Sequence, residues 1–485
     1  MPGEQNTEFP SEVKALIKGF ELTRELQYDI MGRLEDEMNK GLKAALNAEA
    51  KIKMLPTYVT SLPDGTENGD FLALDLGGSN FRVMWVKIKD GKSKACMDVY
   101  TIPGEVMRGP GDQLFDYIAE HLAKFTSYHK LCEMCIPLGF TFSFPCFHKG
   151  LASATLVTWT KGYDAAGVEG KDVVPLLEAA CKRKNVRVDI VAVINDTVAT
   201  QMAGAFKNHD CVVGLILGTG CNASYLECTE KVEMYEGPKG PDKFVILDCE
   251  CGAFGDNGCL EDIRTDFDRD IDGRTFNHGK QFYEKMIAGM YLGEILRLSM
   301  IHLINQKVIF GGVLPEALEK EWGFDTKYLT YIEKDKTEDL SGTRKILQSF
   351  DLQPTAAELQ IIRALSRSIW TRASRLIASG ISQIARRINK PSITVAVDGS
   401  LYLHFHQFRE MMVSEIKALV PQYDVKFHHA EDGSGIGGAV TAAVAVRQSR
   451  RVQNGQPFQN GQPFKNGQPF QNGQPTAPFM NGDCV

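Results

Sequence analysis

Apolar runs and glycine turns alternate along most of the chain. Runs of the length and composition of buried strands occupy residues 71–76, 81–88, 136–142, 188–194, 212–217, 244–248 and 393–397. Helical spacing of apolar residues predicts a helical stretch over residues 11–50 and helices near residues 112–127, 196–206, 280–304, 357–388 and 404–419. Strands that alternate with helices predict an α/β fold with largely buried sheets.

Two segments of the chain have similar patterns. Leu72–Asn80 and Gly214–Asn222 each contain an apolar strand followed by a glycine turn with a hydroxyl residue and an asparagine, and a second strand follows. Because this unit occurs twice, we predict two similar domains that face one another across a cleft.

The composition changes at about Gln453. From there a Gln-Asn-Gly-Gln-Pro-Phe hexapeptide recurs with a period of six, ending near Pro475. Such a tract cannot bury enough apolar surface to fold, so we expect a disordered tail over residues 451–485. The evenly spaced Phe458, Phe464 and Phe470 could bind a partner, which the sequence does not identify, or the tail could be passive.

Length and charge exclude several classes of protein. A chain of 485 residues with 43% hydrophobic residues has the size of about three domains and a large core. The 54 basic and 61 acidic residues leave a net charge of −7. Binding to nucleic acid or to anionic lipid is therefore disfavoured, because proteins with those partners are normally basic. No apolar stretch reaches the roughly 18 residues that a membrane span needs.

The cysteines indicate a reducing compartment. Twelve are scattered along the chain, and the polar segment Met1–Asn6 lacks a signal-peptide pattern, so we expect a cytoplasmic protein with free thiols. The pairs Cys132/Cys135 and Cys249/Cys251 have no second pair at metal-binding spacing. We interpret both pairs as ordinary buried thiols.

Two glycine turns are candidates for binding phosphate. Glycine lets backbone N–H groups approach an anion closely, and Gly77–Asn80 and Gly218–Gly220 each add a hydroxyl side chain. Asp75, just before the first turn, could hold a metal ion through water. Ordinary hairpin turns have the same composition, and it is the repetition that favours the phosphate interpretation.

Familiar nucleotide-binding motifs are incomplete in this chain or stand in the wrong structural context. Gly91–Ser93 ends like a Walker loop, but Val86 stands where the leading glycine is required. Gly433–Gly438 has GxGxxG spacing but opens the predicted last helix, with no acid about twenty residues later to hold a ribose. It is better interpreted as a helix-opening glycine turn, which can still bind phosphate or ribose oxygens. The lack of His-Arg-Asp and Asp-Phe-Gly sequences excludes a protein-kinase fold.

Polar residues at the ends of predicted strands are candidates for ligand contact. Asn195 and Asp196 follow the run 188–194 directly. Asn195 could simply cap the next helix, whereas Asp196 would be a carboxylate at the carboxyl end of a buried strand, where α/β folds bind ligands. Further polar candidates lie in the segments Gly139–Pro145, Trp159–Gly162 and Cys249–Asp256 and at Glu284.

These motifs together resemble the hexokinase family, and most of all a single-unit animal hexokinase. The matching segments are Leu74–Arg82, Phe140–Cys146, Trp159–Gly162, Asn195–Thr197, Gly218–Gly220 and Gly252–Gly258. The resemblance runs in order from about residue 11 to residue 450. It implies the actin-like ATPase fold, with a small domain (residues 66–203 and 440–450) and a large domain (residues 11–65 and 204–439). It also implies ATP-dependent phosphorylation of glucose and related hexoses at the 6-hydroxyl.

The resemblance assigns roles to individual residues. Asp196 falls on the general base, with Lys161 as its catalytic neighbour. The sugar-contacting positions are Ser143, Phe144, Thr160, Lys161, Asn195, Asp196, Asn222, Glu250, Gln281 and Glu284. The ATP-contacting positions are Asp75, Leu76, Gly77, Gly78, Ser79, Asn80, Arg82, Gly218, Thr219, Gly399, Ser400, Gly433, Ser434 and Gly435. The expected cofactors are ATP and Mg²⁺, and Asp75 is the expected metal contact, through water.

A site made of carboxylates and carboxamides can hold each sugar hydroxyl in one orientation. Water competes with the sugar for the phosphoryl group, so we expect the site to be completed only when sugar binds and the domains close. Cys251 departs from the family pattern because a tryptophan usually follows the glutamate, and Leu403 lies near the place of a lysine. A soluble monomer is expected.

Other interpretations remain open at this point. One is a non-catalytic sugar sensor on the same fold, and another is an actin- or chaperone-like ATPase with a protein partner. The Gly433 motif leaves a dinucleotide-dependent oxidoreductase as a third. A metal site made of Asp196, Glu250 and Glu284 is a rival use of the acids.

Overall fold

The computed structural model describes residues 8–78 and 80–453. Its strands are β1 (Leu55–Pro56), β2 (Gly69–Leu76), β3 (Asn80–Lys89), β4 (Lys92–Thr101), β5 (Ile136–Phe142), β6 (Cys146–Gly150), β7 (Ser153–Leu156), β8 (Val188–Ile194), β9 (Cys211–Leu217), β10 (Cys221–Cys228), β11 (Phe244–Asp248), β12 (Ser392–Asp398) and β13 (Asp424–His429). Its helices are α1 (Ser11–Gly19), α2 (Arg24–Leu42), α3 (Gly104–Met107), α4 (Gly111–Tyr128), α5 (Val173–Arg183), α6 (Asp196–Lys207), α7 (Asp266–Arg274), α8 (Phe282–Ile287), α9 (Leu292–Asn305), α10 (Glu316–Glu319), α11 (Lys327–Lys334), α12 (Ser341–Gln348), α13 (Ala356–Ile388), α14 (Ser400–His404), α15 (His406–Leu419) and α16 (Gly433–Gln453).

The structure has two mixed sheets, and the five strands of one follow the same order as five of the six strands of the other. The five-stranded sheet runs β4-β3-β2-β5-β8, and the six-stranded sheet runs β1-β11-β10-β9-β12-β13. In both, the first strand of a hairpin pairs antiparallel with the second and parallel with a later strand. The predicted repeat of Leu72–Asn80 and Gly214–Asn222 is therefore confirmed in the topology. The domain boundaries remain a prediction.

Strand β2 is buried on both faces of its sheet. Leu72 and Leu74 belong to the cluster that contains Leu114 of α4, whereas Phe71 and Ala73 belong to the cluster formed with α16. Alternate residues thus face opposite helical layers, which explains why most of this strand is apolar. The carboxyl end of β2 leads directly into the first glycine turn.

Helices α6 and α16 pack against each other between the two sheets, with α16 on the five-stranded sheet and α6 on the six-stranded sheet. Glycines allow this close approach. A Cβ atom at Gly437 would come within 1.8 Å of the carbonyl oxygen of Ala199 in α6. A Cβ atom at Gly139 in β5 would come within 2.0 Å of the carbonyl oxygen of Gly438.

Several predicted helices are shorter than expected. The stretch 11–50 contains α1 and α2, the stretch 280–304 contains α8 and α9, and the stretch 404–419 falls at the end of α14 and in α15. Between α8 and α9 the N–H group of Gly289 donates to the carbonyl oxygen of Gly218, a contact that apolar spacing cannot reveal. The prediction of one helix over residues 280–304 was therefore wrong.

Some elements were not predicted. Strands β4 and β13 lie at sheet edges and alternate exposed with partly buried residues, and β6 and β7 form a separate two-stranded sheet. Helix α16 extends to Gln453, and residues 454–485 of the predicted tail lie outside the described residues.

Candidate active site

Asp196 and Lys161, the two predicted catalytic residues, lie beside each other. Asp196 begins α6 directly after the buried strand β8. The Nζ atom of Lys161 lies 3.6 Å from Oδ2 of Asp196 and donates a hydrogen bond of 2.9 Å to the carbonyl oxygen of Ser143. The side chains of Lys161 and Asp196 are 42% and 20% exposed, so a ligand can reach both from solvent.

Asn195 holds the start of α6. Its Oδ1 atom accepts hydrogen bonds of 2.9 Å from both the N–H group and the hydroxyl of Thr197. Asn195 is therefore an N-cap, as the sequence indicated. Its cap fixes the backbone from which the Asp196 carboxylate projects, and its contact with sugar stays a prediction.

Ser143 offers a buried hydroxyl next to the first glycine turn. Among the described residues, its Oγ atom has no hydrogen-bond partner. A Cβ atom at Gly77 would lie 3.0 Å from that oxygen. The next residue, Phe144, has its ring 5.8 Å from Nζ of Lys161. Because buried hydroxyls in proteins are normally paired, Ser143 is suited to meet a polar ligand.

A second group of polar residues comes from the six-stranded sheet. Nδ2 of Asn222 donates to Oδ1 of Asp248 at 2.8 Å, and Oδ1 of Asn222 accepts from the N–H group of Cys251 at 3.2 Å. Glu250 lies between these residues in a left-handed backbone conformation with φ of 54°. Asp248 was missed in the sequence, where its only signal was its place at the end of an apolar run.

Burial changes the protonation of these acids. It raises the pKa of Asp248, and it raises the pKa of Glu250 well above its usual range, where the charge of Asp248 adds to the effect. The charge of Asp196 raises both pKa values further, whereas Lys161 lowers that of Glu250. Two carboxylates so close resist joint ionisation, so we infer that they retain a proton and can donate as well as accept hydrogen bonds.

Glu284 and Gln281 complete this side of the site. Oε2 of Glu284 accepts a hydrogen bond of 2.8 Å from the N–H group of Cys221, and burial raises the Glu284 pKa. A Cβ atom at Gly220 would come within 2.7 Å of that oxygen, and one at Gly252 within 2.1 Å of Oε1 of Gln281. Glycine at these two positions thus makes room for the two side chains.

Asp256, which the sequence placed only within a glycine-rich motif, positions Gln281. Its two carboxylate oxygens accept hydrogen bonds of 2.9 Å from the N–H groups of Gln281 and Phe282. Burial raises the pKa of Asp256 to about 6, against the opposing effects of those two hydrogen bonds and of the charge on Lys285. Gln281 itself has φ of 63°, so this contact holds it in a conformation that side chains rarely adopt.

The first glycine turn is attached to the start of α16 by a charged network. Arg82 forms an ion pair with Asp75 and donates to the hydroxyl of Ser434 at 2.7 Å, and that hydroxyl donates to Oδ2 of Asp75 at 2.8 Å. Arg82 also lies 3.5 Å from Asp432. Burial alone would lower the pKa of Arg82, but Asp75 and Asp432 outweigh it and raise the pKa.

The second glycine turn lies against the loop after β12. A Cβ atom at Gly218 would lie 3.3 Å from Cα of Gly399 and 3.4 Å from the N atom of Ser400. Oδ1 of Asp398 accepts a hydrogen bond of 2.7 Å from the Gly399 N–H group. Burial raises the Asp398 pKa, and the charge of Arg82 opposes the rise, so this loop and the network around Arg82 face each other.

Four predicted ATP contacts have other partners. The side chain of Leu76 is buried in the core, and Asn80 accepts a hydrogen bond of 2.8 Å from Thr101. A Cβ atom at Gly433 would lie 3.0 Å from Ala430, and one at Gly435 would overlap Met84. The glycines of the GxGxxG segment therefore serve helix packing, and their contact with a nucleotide stays a prediction.

Three other predicted residues supply backbone groups or lie outside the structure. The carbonyl oxygen of Thr160 accepts a hydrogen bond of 3.1 Å from the N–H group of Tyr163. The carbonyl oxygen of Thr219 accepts one of 3.3 Å from the N–H group of Met290. Ser79 lies outside the described residues.

The cysteine pairs differ from each other. Cys249 and Cys251 are buried, as predicted, whereas Cys132 and Cys135 are exposed, so that prediction was wrong for the first pair, which lies in a surface turn before β5. Cys251 lines a small apolar cavity of about 20 Å³. Cys249 and Tyr283 line the same cavity.

Within residues 8–78 and 80–453, no group of three or more His, Cys, Asp or Glu side chains is arranged to hold a metal ion. No helix in the same part of the chain is long and apolar enough to cross a membrane.

The chain matches two family models, both described as "Hexokinase", over residues 12–206 and 212–444. A solved structure, the hexokinase from Schistosoma mansoni complexed with glucose, is 42% identical to it, with a TM-score of 0.84 over 89% of this chain and 98% of that one. The chain belongs to the hexokinase family. A second solved hexokinase is 30% identical, with a TM-score of 0.77 over 89% of this chain and 98% of that one.

The fold is accordingly the actin-like ATPase fold of hexokinases. Among curated hexokinases, hexokinase-2 of Homo sapiens is 43% identical over 454 residues, which are 92% of this chain and 49% of that protein. Hexokinase-1 of Rattus norvegicus is 43% identical over 447 residues, 90% of this chain and 48% of that protein. The chain thus spans about half the length of the curated hexokinases that it matches.

Proposed function

We propose that this protein transfers the γ-phosphoryl group of ATP to the 6-hydroxyl of glucose and related hexoses. The observation that carries the proposal is the pairing of Asp196 with Lys161 at 3.6 Å, where Lys161 also bonds to Ser143, next to the first glycine turn. The related Schistosoma mansoni protein was solved with glucose, which favours a hexose as the ligand here.

Asp196 acts as the general base in this proposal. The oxygen of the 6-hydroxyl forms a bond to the γ-phosphorus, its proton passes to the Asp196 carboxylate, and the bond to the β–γ bridging oxygen breaks to release ADP. Lys161 stabilises negative charge near that carboxylate. Removal of a positioned base typically lowers turnover by about 10²- to 10⁴-fold.

The acids and amides hold the sugar. Glu250 and Asp248 share a proton and can both donate to and accept from sugar hydroxyls, while Asn222 fixes the Asp248 carboxyl. A sugar lacking one hydroxyl leaves a buried partner unpaired, and this penalty is the source of discrimination.

The glycine turns are suited to ATP and Mg²⁺. A Cβ atom at Gly78 would meet no atom within 4 Å beyond its chain neighbours, so a phosphate can approach the backbone there. Oxygen donors suit Mg²⁺, but Oδ2 of Asp75 already accepts hydrogen bonds from Arg82 and Ser434. This arrangement fits contact through water better than direct ligation. When bound, Mg²⁺ neutralises charge on the phosphates.

The test is to incubate the purified protein with Mg-ATP and glucose, mannose or fructose and to measure ADP and hexose 6-phosphate. Equal amounts of the two products are expected, and Asp196→Asn should bind glucose but lose turnover. Glucose binding without any sugar phosphate would contradict the proposal and favour a non-catalytic sugar sensor.

A further inference from the structure

Three aromatic rings join the loop that carries Lys161 to the turn after β5. The rings of Trp159 and Tyr163 stack, with centroids 5.4 Å apart and an interplanar angle of 21°. The ring of Phe144 meets both edge-on, at 4.9 Å and 5.0 Å. Such pairs prefer these geometries, and Trp159 and Tyr163 are 8% and 5% exposed, so the three rings form a rigid cluster.

The cluster also reaches the first glycine turn. The hydroxyl of Tyr163 donates a hydrogen bond of 2.6 Å to the carbonyl oxygen of Gly78. Tyr163 lies two positions after Lys161, and its N–H group donates to the carbonyl oxygen of Thr160 at 3.1 Å. One side chain therefore connects the proposed sugar loop to the proposed phosphate turn.

We infer that Tyr163 is a positioning residue that couples sugar binding to nucleotide binding. The inference rests on the proposed function, because it needs sugar at Lys161 and phosphate at Gly78. Sugar that contacts Thr160 and Lys161 restricts their loop, and the hydroxyl of Tyr163 passes that restriction to the turn.

The geometry of the peptide group explains how one hydrogen bond can couple sugar binding to nucleotide binding. The peptide group is planar, so a bond that fixes the carbonyl of Gly78 fixes the orientation of the whole group. Phosphate-binding turns depend on the direction of such groups. The turn has a second connection to the same region, since the N–H group of Ser143 donates to the carbonyl oxygen of Leu76 at 3.0 Å. Tyr163 is the connection that a substitution can remove without changing the chain around it.

Tyr163→Phe removes the hydroxyl and keeps the stacked ring. A non-hydrolysable ATP analogue with Mg²⁺ is titrated calorimetrically into the wild-type protein and the variant, with and without saturating glucose. The ratio of the two dissociation constants measures the coupling. We expect glucose to tighten nucleotide binding in the wild type. Tyr163→Phe should reduce the ratio by about 2- to 12-fold, the effect of one lost hydrogen bond. The affinity for glucose alone should stay unchanged.

Tyr28→Phe is the matched control, because the hydroxyl of Tyr28 in α2 also donates to a backbone carbonyl oxygen, that of Leu419 at the end of α15, at 3.3 Å. An unchanged ratio in Tyr163→Phe, or an equal loss in Tyr28→Phe, would overturn the inference while leaving sugar phosphorylation in place. No hexose 6-phosphate from the wild type would instead contradict the proposed function, and with it the inference.

Discussion

Burial raises the pKa values of the acids around the candidate active site. Asp248, Glu250, Glu284 and Asp256 all have pKa values raised first of all by loss of solvent. Each therefore costs the folded protein stability when it is ionised. The polar partners around these acids reduce that cost and fix the orientation of each carboxyl group.

The stability that is lost when a buried acid ionises can be measured at Asp256. Its pKa is about 6 in the folded protein against an ordinary value of 3.8. The folded state then binds more protons than the unfolded state between about pH 4 and pH 6, so the stabilising contribution of the protonated group is lost as the pH rises through that window.

We expect Asp256→Asn to remove this pH dependence. The free energy of unfolding of wild type minus that of the variant should fall by about 2 kcal/mol between pH 4.5 and pH 7.5. Urea denaturation of both proteins across this range checks the prediction. A difference that stays constant would show that folding leaves the pKa of Asp256 unshifted, and a difference that rises with pH would show that folding lowers it; either result would contradict the prediction.

Sequence and resemblance predicted Asp196 and Lys161 as catalytic residues, and the structure brings them to 3.6 Å of each other. They did not single out Asp248 or Tyr163, and they placed Asp256 only within a glycine-rich segment. These three act through partners far away in the chain, such as Asn222 for Asp248 and Gly78 for Tyr163. A local pattern carries no information on such contacts.

At the scale of elements, the contact between α6 and α16 determines how the two sheets lie against each other. Asp196 begins α6 and Ser434 lies in the first turn of α16, so this contact also sets the proposed base relative to the network around Asp75. Gly437 lies at a point of close approach, since a notional Cβ there would be 1.8 Å from the Ala199 oxygen.

Gly437→Ala should therefore destabilise the protein by about 3 kcal/mol or more, because a backbone oxygen cannot move aside as a side chain can. Gly32→Ala in α2 is the control, since an added Cβ there meets no atom within 4 Å. That change should stabilise the protein by about 1 kcal/mol. Thermal denaturation of both variants provides the measurement, and equal stability would refute the packing argument.

Strands covered on both faces were the elements best predicted from sequence. The apolar runs 136–142, 188–194 and 244–248 match β5, β8 and β11 at both ends, because strands covered on both faces have mostly apolar sequences. The edge strands β4 and β13 have mixed sequences, since one side of each meets solvent. The break between α8 and α9 depends on the contact of Gly289 with Gly218, which is 71 positions away in the chain.

For the whole molecule, the proposed site takes residues from both sheets. Asp196 follows a strand of the five-stranded sheet, and Glu250 follows one of the six-stranded sheet. A sugar held by both would draw the two halves together, and this closure would exclude water from the phosphoryl group.

Glucose should therefore make the protein more compact. Small-angle X-ray scattering is expected to give a smaller radius of gyration with glucose than without it. Hydrolysis of ATP without sugar should be much slower than sugar phosphorylation. An unchanged radius together with rapid hydrolysis in the absence of sugar would rule out sugar-driven closure.

The central claim is that the Asp196 carboxylate removes the proton of the hydroxyl that is phosphorylated. A crystal structure with glucose and a non-hydrolysable ATP analogue tests it most directly, through the distance from the 6-hydroxyl oxygen to the nearer carboxylate oxygen of Asp196. The account predicts a hydrogen bond of about 2.6–3.2 Å, with the same hydroxyl oxygen facing the γ-phosphorus. A 6-hydroxyl that points away from Asp196, with another side chain within reach of its proton, would contradict it.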